Sequence, residues 1–164
     1  MKFNINFLLV LLMMLYLSSC TFNKQVKSSG EDFIQGIWTE DSLPNQDQLA
    51  SYQQFDFKFN CDSFYVKIKN FSKVNLQGGS CYDSNTWYEY AKGYYVVNND
   101  SLKFEGNFVD SEYKYKTQGS CYRSGKFIEV FFIEQKADNL LKVKSLQSGM
   151  LHQFWLKEKL SCKQ

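Results

Sequence analysis

The chain of 164 residues has one proline, one histidine, one arginine and no apolar run long enough to cross a membrane. Each scarcity excludes something. His152 stands alone, which rules out a metal cluster built on several histidines and any paired-histidine mechanism. There is no Gly-x-Ser-x-Gly elbow and no Gly-x-x-x-x-Gly-Lys-Ser/Thr loop, so the familiar routes to serine hydrolysis and nucleotide binding are missing. Basic residues are scattered lysines plus Arg123, 19 in all against 17 acidic residues. That balance lacks the basic stripe with which nucleic-acid binders displace counterions, so no nucleic-acid partner is expected. The longest apolar run, Phe7 to Leu17, has 11 residues. A stable membrane-spanning helix needs about 20. With Lys2 before the run and small residues after it, the segment reads as a cleaved export signal.

That signal ends Leu17-Ser18-Ser19-Cys20. An aliphatic residue, two small residues and a cysteine resemble the lipobox of bacterial lipoproteins. The resemblance implies lipid on the Cys20 thiol, cleavage just before it and acylation of the new amine. More than one acyl chain on one residue gives lasting membrane attachment. The expected organisation is a signal peptide over 1–19, a lipidated tether over 20–32 and one domain over 33–164. The tether, with Lys24, Lys27, Ser28, Ser29 and Gly30, is polar enough to stay flexible. The expected location is the cell envelope, with the outer membrane or cell surface as the receiving membrane.

Beyond the tether the chain alternates with period two. Phe55, Phe57 and Phe59 interleave with Asp56 and Lys58; Phe64, Val66 and Ile68 interleave with Tyr65, Lys67 and Lys69. Strands place successive side chains on opposite faces, so each run has one buried and one wet face, as in antiparallel sheets. Aromatic residues make up 18% of the chain, a bias toward strands over helices. Turn residues separate the runs at Asn60-Cys61-Asp62, Asn98-Asn99-Asp100 and Asp138-Asn139, among others. Eight strands are predicted, at 34–40, 52–59, 63–70, 86–97, 101–109, 112–117, 126–135 and 140–147, with a ninth near 151–158. Leu43 to Ala50, with Pro44 near its start, is the one stretch that could hold a short helix. The predicted fold is all-β: an eight- to nine-stranded antiparallel meander closed as a barrel. The lysines on the wet faces argue against a membrane-spanning barrel.

Removing Cys20 leaves Cys61, Cys81, Cys121 and Cys162. An even number in an exported chain suggests two disulfides, with buried free thiols as the alternative. No two lie close enough in sequence for the paired spacing of a zinc site. Three pairings are possible. Gly79-Ser80-Cys81-Tyr82 recurs as Gly119-Ser120-Cys121-Tyr122, and equivalent places in neighbouring hairpins can lie side by side. The repeat therefore favours Cys81–Cys121, with Cys61–Cys162 joining an early turn to the tail.

Gly36-Ile37-Trp38 resembles the Gly-x-Trp motif on the first strand of lipocalins, which implies that Trp38 closes the barrel floor. Gly93-Tyr94-Tyr95-Val96, running into Asn98-Asn99-Asp100-Ser101-Leu102 and Gly106, is similar to the mid-barrel hairpin of bacterial lipocalin-like lipoproteins. Arg123 lies outside the last strand, where a lipocalin's floor arginine is expected, so the resemblance implies the broader calycin-like barrel. Small Bacteroidetes lipoproteins with Gly-x-Trp early and Gly-x-Cys-Tyr later are also similar, and that group sometimes carries the label fumarate hydratase. The residues do not support that chemistry. The Gly-Ser-Ser-x-Met-Pro loop of the aspartase/fumarase family has no match, because both Gly-Ser sites continue with Cys-Tyr.

Functional expectations follow from the barrel. Trp87, Tyr88, Tyr90, Tyr94 and Tyr95 are candidates for a cavity mouth, since such rings combine an apolar body with a polar handle; the same residues could simply fill a small barrel. Glu129 sits in an apolar run, Ile128 and Val130 to Ile133, with Glu134 at its end. It could face inward as a ligand anchor or general acid, or outward to solvent. His152 is expected to be an ordinary strand residue. No cofactor and no catalytic residue is expected. The leading function is a membrane-anchored lipoprotein whose barrel holds a small apolar or amphipathic ligand. The alternative is a filled barrel that docks a protein.

Overall fold

A computed structural model describes residues 30–74, 80–82, 84–117 and 121–162. The segment expected to be a signal peptide, Cys20 and most of the expected tether lie outside the described residues, as do Gly79, Gly119 and Ser120. Eight strands form one closed antiparallel meander: β1 Gly36–Thr39, β2 Ser51–Asn60, β3 Ser63–Ser72, β4 Thr86–Asn98, β5 Ser101–Val109, β6 Lys126–Ala137, β7 Leu140–Ser145 and β8 Leu151–Glu158. Each strand pairs with its sequence neighbour, and β1 pairs with β8 to close the barrel.

The count is eight because 112–117 is not a strand. The Asp110 carboxylate accepts hydrogen bonds from the amides of Glu112 (2.9 Å) and Lys114 (2.8 Å), and Tyr113 takes a φ of 59°. This tight turn leaves a single bridge, Val109 with Tyr115. The tyrosine alternation that suggested a strand instead reflects rings laid on the outer wall. Tyr113 packs edge-on against Tyr65 and Tyr90, and Tyr115 lies under the Lys92 ammonium. The expected helix over Leu43 to Ala50 is reduced to one 3-10 turn, Gln46–Gln48. The Gln46 side chain holds it, accepting from the Leu43 amide and donating to the Tyr52 hydroxyl.

Loop lengths give the barrel two unlike ends. At one end β2–β3, β4–β5 and β6–β7 are joined by two-residue turns, Cys61-Asp62, Asn99-Asp100 and Asp138-Asn139. Cys61 and Asn99 have positive φ, as the favoured hairpin turns require. At the other end the connections run over 40–50, 73–85, 110–125 and 146–150. The short-turn end is the floor and the long-loop end is the mouth.

The floor is sealed by the segment before β1. Gln35, buried, donates through Nε2 to the Cys61 carbonyl (2.9 Å) and to the Tyr95 hydroxyl (2.8 Å), and its Oε1 accepts from the Cys61 amide (2.8 Å). The Tyr95 hydroxyl in turn donates to the Cys61 carbonyl (2.7 Å). Cys61 is bonded to Cys162 beyond β8, so first turn, mid-barrel strand and tail meet at one point. Gly36 fits the seam because its φ is 144° and an added Cβ would lie 2.4 Å from the Glu158 carbonyl oxygen. Trp38, two residues on, is buried in the lower barrel with Nε1 donating to the Ile34 carbonyl (2.8 Å).

An eight-stranded barrel is just wide enough for side chains to fill it, and in its lower part they do. Phe57, Phe59, Phe64, Phe104, Phe131 and Phe154 are all at most 2% exposed. Phe57 lies at the centre, with ring centroids 4.9 Å from Phe104, 5.3 Å from Phe59 and 5.5 Å from Phe154. Two glycines make room for this plug. Phe64, Gly93, Gly106 and Phe127 lie in register across β3 to β6. The two rings meet over the glycines at 5.7 Å. A Cβ on Gly93 would lie 2.2 Å from the Glu105 carbonyl oxygen, so the backbones approach too closely there for any side chain.

Burial pushes the Tyr95 phenol up to about 12 from an ordinary 10.0. A folded value above the unfolded one contributes stability that is present below about pH 10 and lost as pH rises toward 12. Two units correspond to about 2–3 kcal/mol. Denaturation measured over this alkaline range should show a steeper loss in the wild type than in Tyr95→Phe. Tyr113, also pushed up to about 12 by burial, acts in the same direction in both proteins and cancels in the comparison.

Candidate functional site

The strand alternation that fills the lower barrel with phenylalanine brings polar residues to its upper end. In β6 Phe127, Glu129, Phe131 and Ile133 share the inner face, while Ile128 and Phe132 face outward. Glu129 is therefore inside, 7% exposed, and its Oε1 accepts from Ser145 Oγ of β7 at 3.0 Å. Ser145 Oγ also accepts from the amides of Gln147 (3.2 Å) and Ser148 (3.1 Å), which shapes the β7–β8 turn. Glu134 is exposed.

His152 in β8 is 1% exposed, and its Nδ1 lies 3.0 and 3.1 Å from the two carboxylate oxygens of Glu40. Glu40 follows Trp38 by two residues and so keeps the inner face. Its Oε2 also accepts from the Phe55 amide at 3.2 Å. The imidazole stands edge-on to Phe55 and Phe131, at the top of the aromatic plug. Burial raises the Glu40 carboxyl above its ordinary range, opposed by the His152 contact and by backbone donors. Burial raises Glu129 as well, opposed first by the Ser145 hydrogen bond.

A third buried carboxylate, Glu89 of β4, is satisfied by four donors. Arg123 reaches it through its backbone amide (2.9 Å), Nε (2.9 Å to Oε2) and a terminal guanidinium nitrogen (2.6 Å), and Asn70 Nδ2 donates at 3.0 Å. The guanidinium lies over the Phe108 ring at 4.6 Å. Arg123 stands two residues after Cys121. The Cys81–Cys121 disulfide ties the β3–β4 loop to the β5–β6 loop, and so places that arginine at the mouth. Both disulfides have the pairing favoured by the sequence repeat.

Between these groups and the long loops is an open cup of about 480 Å³. Glu129, Ser145 and His152 lie among its lining residues, with Phe55 from the top of the plug. Tyr52, Phe71, Trp87 and Met150 supply apolar walls, and the Tyr52 and Phe71 rings stack at 4.9 Å. Gln53, Asn70 and Gln147 add polar edges. The volume lies within the range of small-molecule sites.

The five aromatics singled out on β4 are divided by the strand's alternation. Trp87 lines the cup. Tyr88 and Tyr94 are exposed on the outer wall, Tyr88 beneath the Lys67 ammonium. Tyr90 packs on Tyr113 outside. Tyr95 is inside but at the floor, in the Gln35 network. Glu40, Glu89, Asn70 and Ser145 were not singled out from the sequence. Glu40 and Glu89 share parity with Trp38 and with Trp87 and Ala91, the one available signal. Among the described residues, no group of histidine, cysteine, aspartate and glutamate side chains is arranged to hold a metal ion.

The chain is thus an eight-stranded closed antiparallel barrel compatible with a lipocalin-like fold and capable of holding a small ligand at its mouth; no family model, curated protein or solved structure matches it.

Proposed function

We propose that this protein is a lipoprotein of the cell envelope, held to the outer membrane or cell surface by lipid on Cys20, whose barrel binds a small amphipathic ligand. The carrying observation is the cup itself: a cavity of about 480 Å³ above a closed aromatic plug, with apolar walls and a buried carboxylate among its lining residues. A ligand enters the mouth and stops at Phe55 and Phe131, so it is held in the upper barrel and not swallowed whole. The tether of the expected mature chain keeps the domain clear of lipid headgroups.

The chemistry of the cup favours binding over catalysis. Ser145 Oγ is engaged by Glu129 and two backbone amides, and His152 is engaged by Glu40. The pairs are therefore serine with glutamate and histidine with glutamate, which differs from a serine activated by histidine.

A second reading, docking of a protein partner, draws on the outer wall. Val96, Ile128 and Phe132 on β4 and β6 are 61%, 46% and 45% exposed. The Lys103–Glu105 ion pair of β5 sits between those strands.

Native mass spectrometry of the mature protein from its own membranes tests the proposal. The expected result is a polypeptide beginning at acylated Cys20, with a discrete extra mass that leaves on gentle activation. An unacylated chain refutes the anchor. Acylated polypeptide alone, across several growth conditions, refutes the ligand and moves the search to partners.

A further inference from the structure

Resting on the reading of the mouth as a binding cup, we propose that its ligand carries a cationic amine, received by the Glu129 carboxylate, and that anionic amphiphiles such as fatty acids are excluded. Four observations converge. Glu129 lines the cup, is 7% exposed, and has one carboxylate oxygen engaged by Ser145. The imidazole of His152, also in the lining, is bound through Nδ1 to buried Glu40, so any charge on it is already matched by that carboxylate. Among the described residues no lysine or arginine lines the cup. The nearby guanidinium, Arg123, is committed to Glu89 and to the Phe108 face.

The physical consequence is a one-sided site. A carboxylate guest would meet Glu129 as a like charge in a partly desolvated space, and the nearby Arg123 guanidinium is already matched by Glu89. An ammonium guest restores to Glu129 the partner that burial takes away, and its remaining donors can reach further acceptors. Trp87, Tyr52 and Phe71 strengthen the preference, because aromatic faces attract cations and accept an apolar body. Buried carboxylate and aromatic wall together are a recognition site for an aromatic or aliphatic amine.

The test uses three probes with one apolar body and different heads: phenethylamine, phenethyl alcohol and phenylacetate. Each is titrated calorimetrically into the full lipidated chain in zwitterionic lipid nanodiscs, with empty nanodiscs as blank. The amine is expected to bind at least about tenfold tighter than the alcohol, a difference of about 1.4 kcal/mol, and phenylacetate weakest. Glu129→Gln keeps the shape and the Ser145 donor, and it should erase the amine's advantage over the alcohol. Equal binding of all three, or tightest binding of phenylacetate, overturns the amine inference and leaves the cup reading intact. An amine preference that survives Glu129→Gln overturns the assignment to Glu129. No binding of any probe at millimolar concentration overturns both.

Discussion

Replacing Cys61 and Cys162 together by serine is expected to lower the stability of the oxidised protein by about 3–5 kcal/mol. The bridge spans a sequence separation of 101. A cross-link of that length removes on the order of 4–5 kcal/mol of chain entropy from the unfolded state, before any native strain is counted. The bridge also has a place in the folded floor, where the main chain of residue 61 is already held. Cys61 is where the Gln35 side chain and the Tyr95 hydroxyl converge, and Cys162 holds the chain end beyond β8 against them. β1 has only four residues, and its pairing with β8 is interrupted by a register shift between Ile37 and Trp38. The bridge therefore fastens the barrel beside its weakest seam. Denaturant unfolding of the double variant and the wild type measures the difference as free energies extrapolated to water, with a lower midpoint and a steeper slope in the variant because its denatured chain is less compact. An unchanged midpoint would mean that the Gln35 network closes the floor unaided.

Phe57→Ala should cost about 3–5 kcal/mol, the range for emptying a large aromatic site in a packed core. Phe57 touches Phe59, Phe104, Phe131 and Phe154, and all four rings are fixed by strands that cannot collapse inward without breaking the barrel. The hole should stay open, and a longer apolar ligand should gain affinity as the cup deepens. Phe132→Ala, one strand face away and 45% exposed, should change stability by no more than about 0.5 kcal/mol. Equal effects of the two substitutions would contradict a filled lower barrel.

The architecture was legible because period-two alternation survives wherever one face of a strand is apolar and the other carries lysine. β2 and β3 show it plainly: Phe57 pairs with Val66 inside, and Lys58 pairs with Tyr65 outside. It misled at 112–117, where Tyr113 and Tyr115 alternate with lysines but pack on the outer wall through a turn organised by Asp110. Alternation cannot tell a ring buried in a barrel from a ring laid against its outside. The cup was harder to read for the same reason. β4 carries aromatics on both faces, so Trp87 and Tyr88 look alike in sequence, and Glu89 between Tyr88 and Tyr90 looks solvent-exposed. Its burial depends on Arg123, which arrives from a loop 34 residues away. His152 and Glu40 are 112 residues apart, and only closure of the barrel brings them together. Contacts across the seam and between mouth loops leave no local pattern, whereas the floor turns, with Asn and Asp at their corners, do.

The most direct test of a barrel plugged below and receptive above is an isotope-edited NMR titration with phenethylamine, following residues at both ends. The indole of Trp87 and the amides of Ser145 and Gln147 should shift in a saturable manner, while Phe59, Phe104 and the Gln35 side chain stay fixed. Shifts centred on the floor or on the outer wall at Ile128 and Phe132, with the Trp87 indole unmoved, would contradict the account.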